Sequence, residues 1–394
     1  MDQIHLEGPA NPETASQVTV AVDGERQRAA KEYARIRRVV WLVDLLFGAV
    51  VLTAFILTGA NVALRDRVGE WTGLRLGQVA IYVVVVLLAF TVLSLPISVF
   101  SGWRLPQRYG LSTQSLGQWF IDWFKGLGVG LVLLLIMVEV LYALIQLLPN
   151  LWWLAAAVLY LFFAVGLANL GPVLLVPIFY KLTPLESSPL TERLEALARQ
   201  AQARVRGVYR MNLSAKTTAA NAALMGLGNT RRIVIGDTLL DRYSSSEIEA
   251  VFAHELGHHV HADVPRLVVG QAVVTLVGLF LCGVVLNWAV TATSLHGVGD
   301  IATLPLLALV LGAFGVLVEP LVNFVSRRME RAADQYALET TGNPGAFISA
   351  MTRLANQNLA ELDPDRWIEV LFYDHPAIGR RIRHAEAFAR DQRV

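Results

Sequence analysis

Charged side chains are scarce in this 394-residue chain. Asp, Glu, Lys and Arg make up 16% of it, where soluble globular domains carry about a quarter. Hydrophobic residues reach 55% and mean hydropathy is +0.49, so the shortage of charge marks a membrane protein. The net charge of +1 gives no basis for nucleic acid or an acidic partner. Cysteine is nearly absent. The single Cys282 lies in an apolar stretch, which excludes a disulfide framework and a cysteine zinc site and leaves it a small buried hydrophobe. Residues 1–37 also lack an apolar run that could form the core of a signal peptide. They are polar through Gly24, where disorder is expected, and then basic, with Arg26, Arg28, Lys31, Arg35, Arg37 and Arg38.

What the chain does have is long apolar runs. About 20 helical residues cross a bilayer core, and six stretches meet that length: Val39–Ala60, Gln78–Phe100, Gly126–Leu148, Leu151–Phe179, Leu267–Thr291 and Ala302–Val325. Gly171, Pro172 and Pro177 predict a kink or an early exit in the fourth. The expected fold is a mostly α, polytopic membrane protein whose polar segments form one further domain with a small β-hairpin or edge strand. The boundaries are a cytoplasmic N-terminal segment (1–37), spans one to four (38–179), a polar segment (180–266), spans five and six (267–325) and a second polar segment (326–394). An even number of spans puts both polar segments on the side of the N-terminus. Arg and Lys are dense in all three of these regions and absent from residues 149–150 and 293–301, although the first external loop carries Arg65, Arg67 and Arg75. The positive-inside rule therefore places the polar segments in the cytoplasm, and bilayer lipids become the chain's immediate surroundings.

Leu190–Arg204 has apolar residues at helical spacing. Asn221–Met225 and Arg232–Ile235 read as short strands joined by a glycine-rich turn. Ser244 and Glu247 are spaced as a capping box, opening a helix whose apolar stripe is Ile248, Val251, Phe252 and Leu256. Residues 254–258 on that helix read His-Glu-Leu-Gly-His. Side chains four apart leave one face, so His254 and His258 can grip one Zn²⁺, and Glu255 beside them can take a proton from a water at the metal. His259 points away and His261 lies about 10 Å along the axis from His254, which leaves both solvated or supporting. A catalytic zinc needs a third protein ligand. Glu330 and Asp334, just past the sixth span, are spaced i,i+4, so that one can ligate while the other braces a ligand histidine.

With these residues in hand, the chain resembles the type I CaaX prenyl protease family of membrane zinc metallopeptidases. The resemblance includes Tyr33-Ala-Arg35, Leu95-Pro96, Gln107 through Leu116 with Asp122 and Lys125, and Pro177 through Glu186. It continues with Asn221-Ala222, Asp237 through Leu240, His254–His258, Ser326–Asp334 and His375-Pro376 through Arg381, so it covers roughly residues 30–385. It implies His254, His258 and Glu330 as zinc ligands and Glu255 as general base. It also implies Asp334, Arg327 and Arg381 as supports, His375 as oxyanion stabiliser, and Asn221, Ala222 and Ala223 as the edge strand that takes up substrate. Two departures stand out. Eukaryotic members have seven spans around an intramembrane chamber, whereas this chain lacks the first; and Ala223 stands where an aromatic residue often follows the first alanine.

The reading that results is a zinc endopeptidase of a bacterial plasma membrane, cutting peptides near the cytoplasmic face, with a lipidated C-terminus as the substrate the family implies. A quality-control protease without lipid specificity, similar to the heat-shock membrane peptidases, is the alternative. A transporter with a vestigial zinc site is a remote one, its candidate pathway groups being Asp44, Glu139 and Glu319.

Overall fold

A computed structural model describes residues 21–293 and 295–392. The expected disorder through Gly24 falls mostly on residues 1–20, which lie outside the described residues. Helix α1 (Gly24–Leu57) begins earlier than the apolar run it carries, because the Asp23 side chain accepts from the amides of Glu25 and Arg26. Its 34 residues make about 50 Å of helix, well beyond a bilayer core of roughly 30 Å, so the basic stretch is an extension of the first span. There follow α2 (Ala60–Trp71), α3 (Arg75–Val99), a π-helical turn (Phe100–Arg104), α4 (Leu105–Arg108), α5 (Leu116–Leu147), α6 (Trp152–Leu174) and α7 (Val176–Phe179). Pro172 lies within α6 and the helix stops two residues later, the early exit the sequence predicts. After the polar segment come α11 (Asp263–Ala292) and α12 (Leu304–Thr341). Among the described residues six helices are long and apolar enough to cross a membrane: α1, α3 with its continuation to Arg108, α5, α6, α11 and the stretch Ile301–Thr341 that contains α12. Tyr82, Tyr142, Trp152, Leu279 and Leu286 form their shared core.

Between α7 and α11 the chain folds as β1 (Leu182–Pro184), α8 (Pro189–Gln200), β2 (Val208–Met211), β3 (Ala222–Met225), β4 (Arg232–Gly236), α9 (Asp237–Leu240) and α10 (Ser245–Val260). The sheet order is β1-β2-β4-β3, with β2 and β4 parallel and the outer pairs antiparallel. The predicted β3–β4 hairpin is present, and β3 is an edge strand. After α12 come α13 (Pro344–Asn358), α14 (Arg366–Phe372) and α15 (Ile378–Asp391). Ile233 and Ile235 of β4 join Ile248, Phe252 and Leu256 of α10 and Leu338 and Phe347 in one core, so sequence on both sides of α11 and α12 shares a single interior. The capping box at Ser244 forms as its spacing predicts: Ser244 N donates to Glu247 Oε2 at 2.7 Å and Glu247 N to Ser244 Oγ at 3.3 Å.

Candidate metal centre

The centre lies where α10 crosses α12. Gly257 lets the two helices approach, since a Cβ there would lie 2.7 Å from Ala333 Cα. The glycine in His-Glu-Leu-Gly-His is thus a packing requirement. Glu330 and Asp334, one turn apart on α12, face His254 and His258 across this contact. One ligand atom each from His254, His258 and Glu330 lies within 4.8 Å of the others. Glu330 Oε2 is 3.3 Å from His254 Nε2, and Glu330 Oε1 is 3.2 Å from His258 Nε2. Donors this close together can reach one small cation placed between them. Glu330 Oε2 is buried without a formed hydrogen bond, which leaves a carboxylate oxygen directed into the cluster. Two imidazoles and one carboxylate also match a catalytic zinc's donor set in type and number.

Each histidine is held at its far nitrogen. His254 Nδ1 lies 2.9 Å from Asp334 Oδ1, and His258 Nδ1 lies 2.9 Å from Asp263 Oδ2. These contacts leave Nε2 of both rings directed at the centre. Asp334 is itself clamped by Arg381, whose Nε and Nη2 donate at 2.9 and 2.6 Å. Burial disfavours a charged His254, yet the carboxylates of Asp334 and Glu330 beside it outweigh that and raise its pKa to about 9. The site thus concentrates negative potential where a cation would be held. Asp263 escapes the sequence reading because it opens the next span. The signal that could have found it is the need of His258 for an Nδ1 partner.

His375 sits beside this cluster, its Nε2 3.1 Å from Glu330 Oε1 and its Nδ1 2.8 Å from Asp374 Oδ1. Hydrogen bonds to Asp374 and Glu330 push its pKa up to about 10, so the ring is a ready donor. Arg327 reaches the same region from α12: its Nη1 donates to the Glu369 carbonyl at 2.9 Å and to the Tyr373 carbonyl, fixing the turn that presents His375. Glu255, His254 and His375 line a cavity of about 620 Å³ with Asn221 and Ala222. Ala223 is not among its lining residues; it pairs with Val234, and alternation along a strand sends neighbouring side chains to opposite faces. Glu319, a candidate pathway group, lines this same cavity, whereas Asp44 is exposed on α1. His259 and His261 stay outside the ligand cluster, His259 against Arg231 and His261 against the Tyr336 ring.

A two-histidine, one-carboxylate centre on crossed helices, set beside a free sheet edge and anchored on membrane-spanning helices, defines the class: a metallopeptidase built into a polytopic membrane protein. Residues 184–389 match the model of peptidase family M48, and residues 9–181 match that of a CAAX prenyl protease N-terminal region of five membrane helices. The chain belongs to peptidase family M48, whose members are zinc-dependent in general. In 9–181, four of the described helices are long and apolar enough to span, α2 being only 12 residues long. A Bacillus subtilis relative, named uncharacterized metalloprotease YhfN, is 30% identical over 91% of this chain and 84% of its own length. The probable CAAX prenyl protease 1 of Schizosaccharomyces pombe is 27% identical over 74% of this chain and 62% of its own. The crystal structure of Saccharomyces mikatae Ste24p superposes with a TM-score of 0.82, covering 95% of this chain and 94% of that one; at 20% identity it shows the fold. The protein is a multi-pass membrane metalloendopeptidase acting on peptide or protein substrates. The quality-control alternative is not favoured.

Proposed function

We propose that this chain hydrolyses peptide bonds of substrates with lipidated C-termini at the cytoplasmic membrane face, using zinc held by His254, His258 and Glu330. The carrying observation is the convergence of those three side chains at the wall of the cavity lined by Glu255, His375 and the start of the edge strand. Zinc supplies Lewis-acid polarisation of the scissile carbonyl and lowers the pKa of a water to about 7. Glu255 takes the proton of the attacking water and delivers it to the departing amine. His375 Nε2 donates to the oxyanion of the tetrahedral intermediate. The backbone at Asn221 and along β3 grips the substrate as an added strand, its side chains alternating toward and away from the cavity. Arg327 and Arg381 act at one remove, through the His375 turn and through Asp334.

In this reading the catalytic part comprises residues 180–266 and 326–394, interrupted by spans 267–325 and preceded by spans 38–179 and the N-terminal segment 1–37. The match to a CAAX prenyl protease N-terminal region supports the lipidated substrate class. The test uses purified protein with prenylated and unprenylated forms of one peptide, with and without a chelator. Chelator-sensitive cleavage that zinc restores, faster on the prenylated form, is expected. Equal cleavage of both forms would remove the lipid from the substrate definition. The Glu255→Gln variant should keep its metal and lose at least about 10²-fold in turnover, the lower end of a general base's contribution. Cleavage that survives in the metal-loaded variant would overturn the mechanism.

A further inference from the structure

Helix α14 is seven residues long and belongs to none of the membrane spans, yet it turns an apolar face outward. Trp367, Val370 and Leu371, spaced i, i+3 and i+4, are 60%, 43% and 40% exposed, while Ile368 and Glu369 on its other side are buried. Three large apolar side chains on one short face call for a cover other than water. Two contacts fix the height of this face. Asn323 Nδ2 donates to the Leu371 carbonyl at 3.0 Å, and Asn323 lies inside the sixth apolar run, which ends at Val325. Trp41, just inside the first apolar run, which begins at Val39, packs edge-on against Phe372 at 5.5 Å between ring centroids. Helix α14 is thus tied to the level at which two spans leave the hydrocarbon. Leu321, Phe324 and Val325 of α12, to which it is bonded, are exposed apolar residues as well. Arg328, 5.4 Å from the Phe324 ring centroid, and Arg366, at the start of α14, are exposed cations of the kind that reach anionic headgroups.

We propose that α14 is an interfacial helix: its face of Trp367, Val370 and Leu371 docks on the bilayer surface beside the metal centre, and this docking holds the turn that presents His375. Interfacial helices sink their apolar face about 5–10 Å into the boundary between headgroups and acyl chains, and Trp is favoured at that depth. The inner side of α14 leads to the site. Arg327 Nη1 donates to the Glu369 carbonyl at 2.9 Å, and the buried Glu369 Oε1 accepts from the Ala377 amide at 3.2 Å. His375 is therefore bracketed between α14 and the start of α15. A helix of seven residues has little stability of its own, so what covers its two faces sets its position. The link to turnover rests on the role proposed for His375; the docking itself does not.

The test places a nitroxide label on Val370→Cys in the full-length protein, reconstituted at one copy per nanodisc of phosphatidylcholine and phosphatidylglycerol. The native Cys282 is buried and stays unlabelled. Relaxation of the label by oxygen, which partitions into lipid, should exceed relaxation by a water-soluble nickel chelate. The same label on Glu386→Cys, at an exposed position of α15, should show the reverse. Nickel access at Val370→Cys equal to that at Glu386→Cys would overturn the docking. So would protection that needs two copies per disc, which would assign the face to a second copy of the chain. A separate variant tests the link to His375. Val370→Glu puts a charge on the docking face, away from Arg327 and the cavity. Its kcat should fall by about tenfold or more, as displacement of an oxyanion donor requires, with KM, bound metal and thermal midpoint unchanged. Val370→Leu should keep the wild-type rate. An unchanged kcat in Val370→Glu would overturn the link between docking and His375.

Discussion

Asp334 and Asp263 each hold one ligand histidine at Nδ1, yet they are not equivalent. Both are buried, Asp263 at 2% and Asp334 at 1% exposure, but the nearest cation to Asp263 is the exposed Arg266 at 3.6 Å, whereas Asp334 is clamped by the buried Arg381. Asp263→Asn keeps the shape of the side chain and removes its charge. Loss of such a support typically costs about 10–100-fold in metal affinity, and zinc retention against a graded chelator should fall by that much with the fold intact. Asp334→Ala should weaken metal binding and also destabilise the protein by roughly 3–5 kcal/mol, because it leaves a buried guanidinium unpaired. Thermal unfolding of the metal-stripped variants checks the difference: Asp334→Ala lowers the midpoint and Asp263→Asn barely moves it. Unequal visibility in the sequence has a similar cause. Glu330 and Asp334 share a helical face and are legible from spacing alone. Asp263 meets His258 only because Ala262 adopts a left-handed φ of 54° between α10 and α11, which no periodicity announces.

At the scale of elements, the crossing of α10 and α12 positions the donors, and Gly257 sets its closeness. Gly257→Ala puts a Cβ 2.7 Å from the Ala333 backbone, so the helices must part. Overpacking of this kind costs about 1–3 kcal/mol, and a few tenths of an ångström of separation at Gly257 displaces Glu330 from both histidines. The expected outcome is a lower thermal midpoint together with loss of bound zinc by elemental analysis. Gly315→Ala serves as the control on α12, since nothing lies within 4 Å of a Cβ there. It should keep its zinc. Elements with strong local signals were legible: the capped α10, the six apolar helices and the β3–β4 hairpin. The strands β1 and β2, three and four residues long, were not, because they form only through pairing with distant sequence. Nor was the uninterrupted length of α12, which carries its helix 38 residues through the change from apolar to charged sequence.

For the whole molecule, the centre depends on an even count of crossings between its halves. His258 precedes α11 and Glu330 follows the apolar part of α12, so two spans separate the proposed ligands, which must meet on one side of the bilayer. Three spans in place of two would put Glu330 across the membrane from the histidines. The pairing of the halves is therefore independent of which side they occupy, and the proposal that this side is cytoplasmic rests on the bias of Arg and Lys. Cysteine labelling tests the assignment directly, since the single native cysteine, Cys282, is buried and gives little background. Glu192→Cys and His296→Cys, at exposed positions on α8 and between α11 and α12, report the two faces. A membrane-impermeant maleimide should label His296→Cys in intact cells and Glu192→Cys only after permeabilisation. The reverse pattern would put the metal centre outside the cell and require its peptide substrates to be extracellular, although every distance at the site would be unchanged.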